Sequence, residues 1–343
     1  MILAGDIGGT KCNLVMFQER QDGALRPLFR HRYRTCDFAR LEDLAEYFCN
    51  QLTEENASLG RMSIDAAGFG VAGAVVDGQL HANNLPWVLD PRGLARKLDL
   101  VPSKLVLLND VVATACSLDK LPPEDLAVLN KGVAVPNATK ALMAVGTGLG
   151  EAFLFWDGRQ YRVVPSEGGV GNFSPRTDRE IQLLMHLRKR VPNVSCEEIL
   201  SGRGIRTIHE FLDPGVTHPT FQSGGDAASE ITQLAQTYSC RVCVATLDLW
   251  TEAYGAEAGN VALRAMALGG VYVAGGIAPK LLAKLKDGAF FRAFCDKAKL
   301  SDVLARVPVS VVLNEEAPVW GAAYQALAAL RSQPLVQSQR RAG

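Results

Sequence analysis

Three times this chain runs from a short apolar stretch directly into a glycine turn: residues 2–4 lead to Gly8, Gly9 and Thr10, the run ALMAV from Ala141 leads to GTGLG, and VYVA leads to Gly275 and Gly276. Without a side chain in the way, successive backbone N–H groups in such a turn can converge on one anion, typically a phosphate. Hairpin geometry explains any one of these turns, but it does not explain three with the same placement after a strand. The first two also share the order strand, glycine and threonine turn, strand. That repetition predicts two related α/β lobes, each offering a loop of amides to a shared cleft. GxxxxGK[ST] occurs nowhere, so the loops are not P-loops.

A length of 343 residues suits two such lobes. Helical spacing covers residues 41–52, and residues 64–78 read as strands separated by glycines, with Asp77 and Gly78 as a hairpin turn. KLVLLND, from Lys104, is almost wholly apolar, as expected of a strand buried on both faces, and it feeds a helix, VVATACSL. After GTGLG come EAFLFW, a turn at Asp157 and Gly158, and YRVV. Pro279 sits well for the first turn of a helix. The expected organisation is a small lobe over residues 1–110, a large lobe over 111–313, a C-terminal helix within 314–332 that returns to the first lobe, and a tail over 333–343.

Composition narrows the function. The 36 basic and 36 acidic residues balance, which argues against a polyanion-binding surface and so against nucleic acid as a partner. The start lacks a signal-peptide pattern, and the apolar stretch over 261–277 is broken by Arg264 and by glycines, so neither export nor a membrane partner is expected. Eight cysteines, mostly in apolar contexts such as that of Cys116, fit a reducing cytoplasm better than a disulfide scaffold. Cys240 and Cys243 form a CxxC, but no second pair lies at zinc spacing, and the pair reads as helix packing.

Acidic residues beside these turns are the candidates for chemistry. Asp6 ends the first strand, where a carboxylate can hold a magnesium ion through water. Asn109 and Asp110 end a buried strand, where open α/β sheets place their ligands, although Asn-Asp before a helix is also an ordinary N-cap. Glu167 opens the run EGG, where a carboxylate beside glycines can bond a pair of ligand hydroxyls, although an exposed loop glutamate is the ordinary reading.

The succession GDIGGTK, GVAGAVVDG, NNLPW, LLND, GTGLGEAF, SEGG, SCEEILSGRG and VAGGIAP resembles the bacterial glucokinase family over nearly the whole chain and in the family's order. The resemblance implies the two-lobed actin-like ATPase fold of the hexokinase type, with duplicated α/β domains. It implies transfer of a phosphoryl group from ATP, with Mg2+, to the 6-hydroxyl of a hexose, glucose leading, in the cytoplasm, and it allows a homodimer. Carried over by position, Asp6, Gly8, Gly9, Thr10, Thr147, Gly148, Gly275 and Gly276 face the nucleotide. Asp110 is the catalytic base, and Asn84, Asn109, Asp110, Glu167 and Glu197 face the sugar. Glu198 adjoins Glu197 and competes for its role. Trp87 of NNLPW reads as lobe packing.

This chain departs from the family at one place. The family reads EGGH followed two residues later by Asp, whereas Val170 and Asn172 stand here. A usual contact to the anomeric end of glucose is therefore missing, which leaves two alternatives open: a kinase for a modified hexose, and a sugar or nucleotide sensor on the same fold. Asp110 with Asn109 favours the enzyme, since a sensor needs no base. The zinc-binding cysteine cluster of the related repressor and sugar-kinase group is absent.

Overall fold

The computed structural model describes residues 1–55, 63–76, 79–81 and 85–332. The expected turn at Asp77 and Gly78 and the expected tail over 333–343 lie outside them. The chain divides into two compact units, one formed by Met1–Lys120 with the segment from Glu316 onward, the other by Leu121–Glu315. The first division falls after Lys120 rather than at Asp110, because the helix that Asp110 opens packs against the C-terminal helix of the same unit.

Unit 1 is built on a five-stranded sheet. In chain order its strands are β1 (Ile2–Ile7), β2 (Lys11–Glu19), β3 (Leu25–Arg34), β4 (Ala66–Val71) and β7 (Leu105–Asn109), with a small β5 (Ala74–Val76) and β6 (Gln79–His81) hairpin apart from it. The spatial order is β3-β2-β1-β4-β7, with β1–β2 and β2–β3 antiparallel and β1–β4 and β4–β7 parallel. Alternate residues of a strand face opposite sides, and this sheet uses both. Leu3, Leu14 and Met16 pack on Leu44 and Phe48 of α1 (Leu41–Glu55), while Ile2, Ala4, Val15 and Phe17 pack on Val319, Ala322, Ala323 and Ala326 of the C-terminal helix, Ala317–Arg331. Trp87 is buried, and its Nε1 donates to the Phe38 carbonyl at 2.9 Å, as expected of a packing residue. β7 lies at the edge of the sheet and its residues are half-buried, so KLVLLND is not the doubly covered strand its composition suggests.

Two short helices complete the unit, α2 (Pro91–Lys97) and α3 (Asp110–Ser117). The C-terminal helix approaches α3 and β4 so closely that glycine is required. A Cβ on Gly321 would lie 1.7 Å from the Ala113 carbonyl oxygen, and one on Gly68 would lie 2.2 Å from that of Ala322. Gly321→Ala should therefore destabilise unit 1 by about 1–3 kcal/mol, outweighing the roughly 1 kcal/mol that alanine gains over glycine in a free helix. Urea denaturation followed by tryptophan fluorescence, to which Trp87 and Trp320 of this unit contribute, measures this as a lower midpoint.

Unit 2 repeats the plan. Its strands β8 (Leu126–Asn130), β9 (Lys140–Val145), β10 (Leu149–Trp156), β11 (Tyr161–Ser166), β12 (Gly270–Ala274) and β13 (Val309–Val312) are ordered β11-β10-β9-β12-β13-β8. The first five reproduce the unit 1 order, with the same two antiparallel and two parallel pairings. β8 is an addition at the edge, antiparallel to β13. Helices α4 (Asp178–Leu187), α5 (Gly202–Leu212), α6 (Pro219–Ser223), α7 (Ala227–Gln236) and α8 (Arg241–Ala265) follow the hairpins, and α9 (Leu282–Leu285), α10 (Ala289–Cys295) and α11 (Ser301–Ala305) lie between β12 and β13. The core places Met143, Val145, Val271, Val273, Val309 and Val311 of the sheet against Trp250 and Tyr254 of α8 and Phe290 and Phe294. Among the described residues no helix is long and apolar enough to cross a membrane, and all eight cysteines are free.

Candidate active site

The predicted site residues divide between the units. In unit 1 the parallel strands β1, β4 and β7 end at one edge, where register pairs Asp6 with Gly70 and Val71 with Asn109. Ligands collect at such carboxyl ends. Asn109 is the N-cap of α3: its Oδ1 accepts from Val111 N (2.9 Å) and Val112 N (3.1 Å), and its Nδ2 donates to the Gly73 carbonyl at 2.6 Å. The ordinary capping role is thus filled, and one amide hydrogen of Asn109 is left for another acceptor. Asp110 is the first residue of α3 and takes Val111 N at 2.9 Å on Oδ1. A carboxylate there is favoured by the exposed N–H groups of the first turn.

Asp6 feels Asp110. Burial, and next the Asp110 charge, push the Asp6 carboxyl up to about 7, against the pull of the Asn13 side chain and of Arg32. Arg32 is itself oriented by donation from its Nε to Asn13 Oδ1 at 2.7 Å. Two neighbouring carboxylates with only oxygen donors suit a hard divalent cation, which would relieve their repulsion. The turn joining β1 to β2 is closed by Gly8 N donating to the Lys11 carbonyl (3.0 Å) and by the Thr35 hydroxyl donating to the Gly8 carbonyl (2.7 Å). Gly9 and Thr10 lie exposed at its tip. Asn84, a predicted sugar contact, lies outside the described residues.

In unit 2 the remaining predicted residues come together around the end of β9. Gly146 N donates to the Gly148 carbonyl at 2.9 Å, closing the GTGLG turn with Thr147 exposed at its tip. β12 runs parallel to β9 and ends beside it. Gly275 has a left-handed φ of +88°, and a Cβ on it would lie 2.2 Å from the Val145 carbonyl oxygen, so glycine is obligatory there. Gly276 is exposed and open to solvent.

Glu197 is tied into this turn. Its Oε2 accepts from Leu149 N at 3.1 Å, and a Cβ on Gly148 would stand 2.4 Å from that oxygen. The absence of a side chain at 148 therefore makes room for a carboxylate as well as for an anion. Glu198 instead pairs with Arg203 at 3.0 Å, so the two adjacent glutamates have different partners. Glu167 is exposed at the head of the 3-10 turn Gly168–Val170, and Glu197 N donates to the Gly169 carbonyl at 3.0 Å, so the EGG and SCEE segments are held side by side. Ser201 caps α5 through Gly204 N (3.1 Å), and Gly202 N donates to the Gly146 carbonyl at 3.0 Å, joining α5 to the glycine turn.

One charged residue near the site carried no sequence signal. Glu151, buried on β10, lies beneath the Glu167 turn, where a Cβ on Gly168 would meet its Oε2 at 2.1 Å. Neither carboxyl oxygen has a hydrogen-bond partner, and Arg264 is 3.8 Å away. Burial, and next the charge of Glu257, push its carboxyl up to about 7. Below about pH 4.5 this group is neutral in both the folded and unfolded chain; on raising the pH the unfolded chain ionises first, so stability falls until about pH 7. Glu151→Gln should remove a fall on the order of 3 kcal/mol over that window. Denaturant midpoints of parent and variant at both ends of the window give the measurement.

The sequence model of the family described as Glucokinase matches residues 3–329. A glucokinase of Nostoc sp. is 35% identical over 342 residues, covering 94% of this chain and 98% of the relative. Among solved structures, a glucokinase from an Antarctic psychrotroph superposes with a TM-score of 0.79 at 30% identity, covering 96% of this chain and 99% of that one. The glucokinase of Balamuthia mandrillaris in complex with glucose shares the fold, with a TM-score of 0.77 at 20% identity, covering 95% and 93% of the two chains. The duplicated sheets are accordingly those of the two-lobed actin-like ATPase fold. Sequence and architecture agree over nearly the whole chain, and the protein belongs to the glucokinase family.

Proposed function

We propose that this protein transfers the γ-phosphoryl group of ATP to the 6-hydroxyl of glucose, giving glucose 6-phosphate and ADP. The observation that carries this reading is the placement of Asp110 at the first position of α3, next to Asp6, where β1, β4 and β7 end. Its carboxylate accepts the proton of the 6-hydroxyl as that oxygen attacks the γ-phosphorus and the bond to the β-phosphate oxygen breaks. Phosphoryl transfer asks for little covalent chemistry from the protein, so orientation and neutralisation of charge dominate.

Gly8, Gly9, Thr10, Thr147, Gly148, Gly275 and Gly276 are the proposed contacts to the phosphates and adenosine. Glu167 and Glu197 orient the sugar hydroxyls, with Asn84 and Asn109 as further sugar contacts. Asp6 would hold Mg2+ through water, which neutralises charge on the β- and γ-phosphates when bound. The cytoplasm is the proposed compartment, supported by the eight free cysteines. A coupled assay of ADP release over a panel of hexoses tests the whole reading. The expected result is release that depends on glucose and on a divalent cation. ADP release that no hexose raises above background overturns the assignment.

A further inference from the structure

We infer that unit 2 binds a structural zinc ion through His209, His218, Cys240 and Cys243. The four potential ligand atoms, two imidazole nitrogens and two sulfurs, all lie within 4.8 Å of one another. Tetrahedral zinc with bonds of about 2.0–2.3 Å brings its ligand atoms to about 3.3–3.8 Å apart, so a small contraction closes the set. One pair is already in direct contact, with Cys243 Sγ 3.2 Å from His218 Nε2.

A second observation points the same way. His209, on α5, is fully buried, yet neither ring nitrogen has a hydrogen-bond partner. Buried imidazoles ordinarily satisfy at least one nitrogen, and an orphan aimed into a cluster of thiols lacks a partner that an ion would provide. The other ligands are also uncommitted to their local backbone. His218 precedes α6 and Cys240 precedes α8, both at N-cap positions without a side-chain capping bond. Cys243 lies buried in the first turn of α8. Phe221 packs its ring 5.2 Å from that of His209 and 5.4 Å from that of His218, giving the cluster an apolar neighbour.

Ligand chemistry selects the ion. Two thiolates and two neutral imidazoles favour Zn2+ over Mg2+ or Ca2+, which take oxygen donors. The charges of two thiolates and one divalent ion cancel, so the loaded site carries no net charge into the apolar core. Sequence alone conceals the set, since its histidines come from α5 and the loop after it, at no recurrent spacing from the CxxC. The site would clamp α5 to α8, and the start of α5 is bonded to the glycine turn through Gly202 N and the Gly146 carbonyl.

The test uses the full-length chain purified with a non-thiol reductant, exposed to equimolar Zn2+ and freed of loose metal by gel filtration. About one zinc per chain should remain in the parent, falling at least tenfold in Cys240→Ser and in His218→Ala. Substituting Co2+ in the parent should give a thiolate-to-cobalt charge-transfer band and the intense visible bands of a tetrahedral ion, a readout independent of whether any variant folds. The proposal is overturned if the parent retains no zinc, if both variants retain as much as the parent, or if cobalt shows no thiolate band.

Discussion

Asp110→Asn is expected to lower turnover by about 10²-fold or more while leaving glucose affinity within a fewfold of the parent. Asparagine keeps the shape, and its Oδ1 can still accept from Val111 N, as Asp110 does at 2.9 Å. Only the negative charge and the capacity to take a proton are removed. The neighbour reports the change independently: the Asp110 charge helps hold the Asp6 carboxyl at about 7, so in the variant Asp6 should titrate closer to an ordinary aspartate. Calorimetry with glucose, steady-state rates and the pH dependence of Asp6 by NMR separate these effects. Turnover within a fewfold of the parent, with Asp6 shifted as expected, would show that Asp110 is a charged neighbour and not the base.

The features of this fold that are local in sequence were legible, and those that depend on a distant partner were not. Glycine turns after apolar strands are local, and they led to two lobes of one plan, which the matching strand orders of the two sheets show. The first strand runs through Ile7 although Gly5 and Asp6 break its apolar pattern. Gly5 is there for packing: a Cβ on it would lie 2.5 Å from a Leu14 methyl and 2.9 Å from the Phe69 ring. Likewise KLVLLND has the composition of a central strand, and nothing within it tells that it forms an edge. Glu197 and Glu198 are adjacent in sequence, and their different partners, Leu149 N for the first and Arg203 for the second, arise from the fold. Glu151 gave no signal because its burial under Gly168 arises from a hairpin partner and a later turn.

Val170→His should tighten glucose binding by about 3-fold to about 100-fold, the range spanned by one net hydrogen bond and by one that also satisfies an otherwise unpaired polar group. Position 170 ends the Gly168–Val170 turn, its N–H donating to the Glu167 carbonyl at 3.1 Å, one residue from the Gly169 carbonyl that accepts Glu197 N. It therefore stands on the same turn as Glu167 and beside the segment that carries Glu197, the two glutamates proposed to orient the sugar. The valine is 60% exposed, so a larger ring displaces no core and an affinity change reads out contact with sugar rather than repacking. Asn172 forms a bridge to Ser195 across the neighbouring segment, and Asn172→Asp in the same chain supplies a carboxylate that can fix the orientation of the imidazole. Titration of parent, single and double variants with glucose, mannose and N-acetylated hexoses distinguishes the outcomes. A gain confined to glucose identifies residue 170 as a contact to the anomeric end. A loss for a substituted hexose identifies valine as an adaptation to that sugar, and no change with any of them places residue 170 outside the pocket and removes the reason to expect weakened glucose recognition.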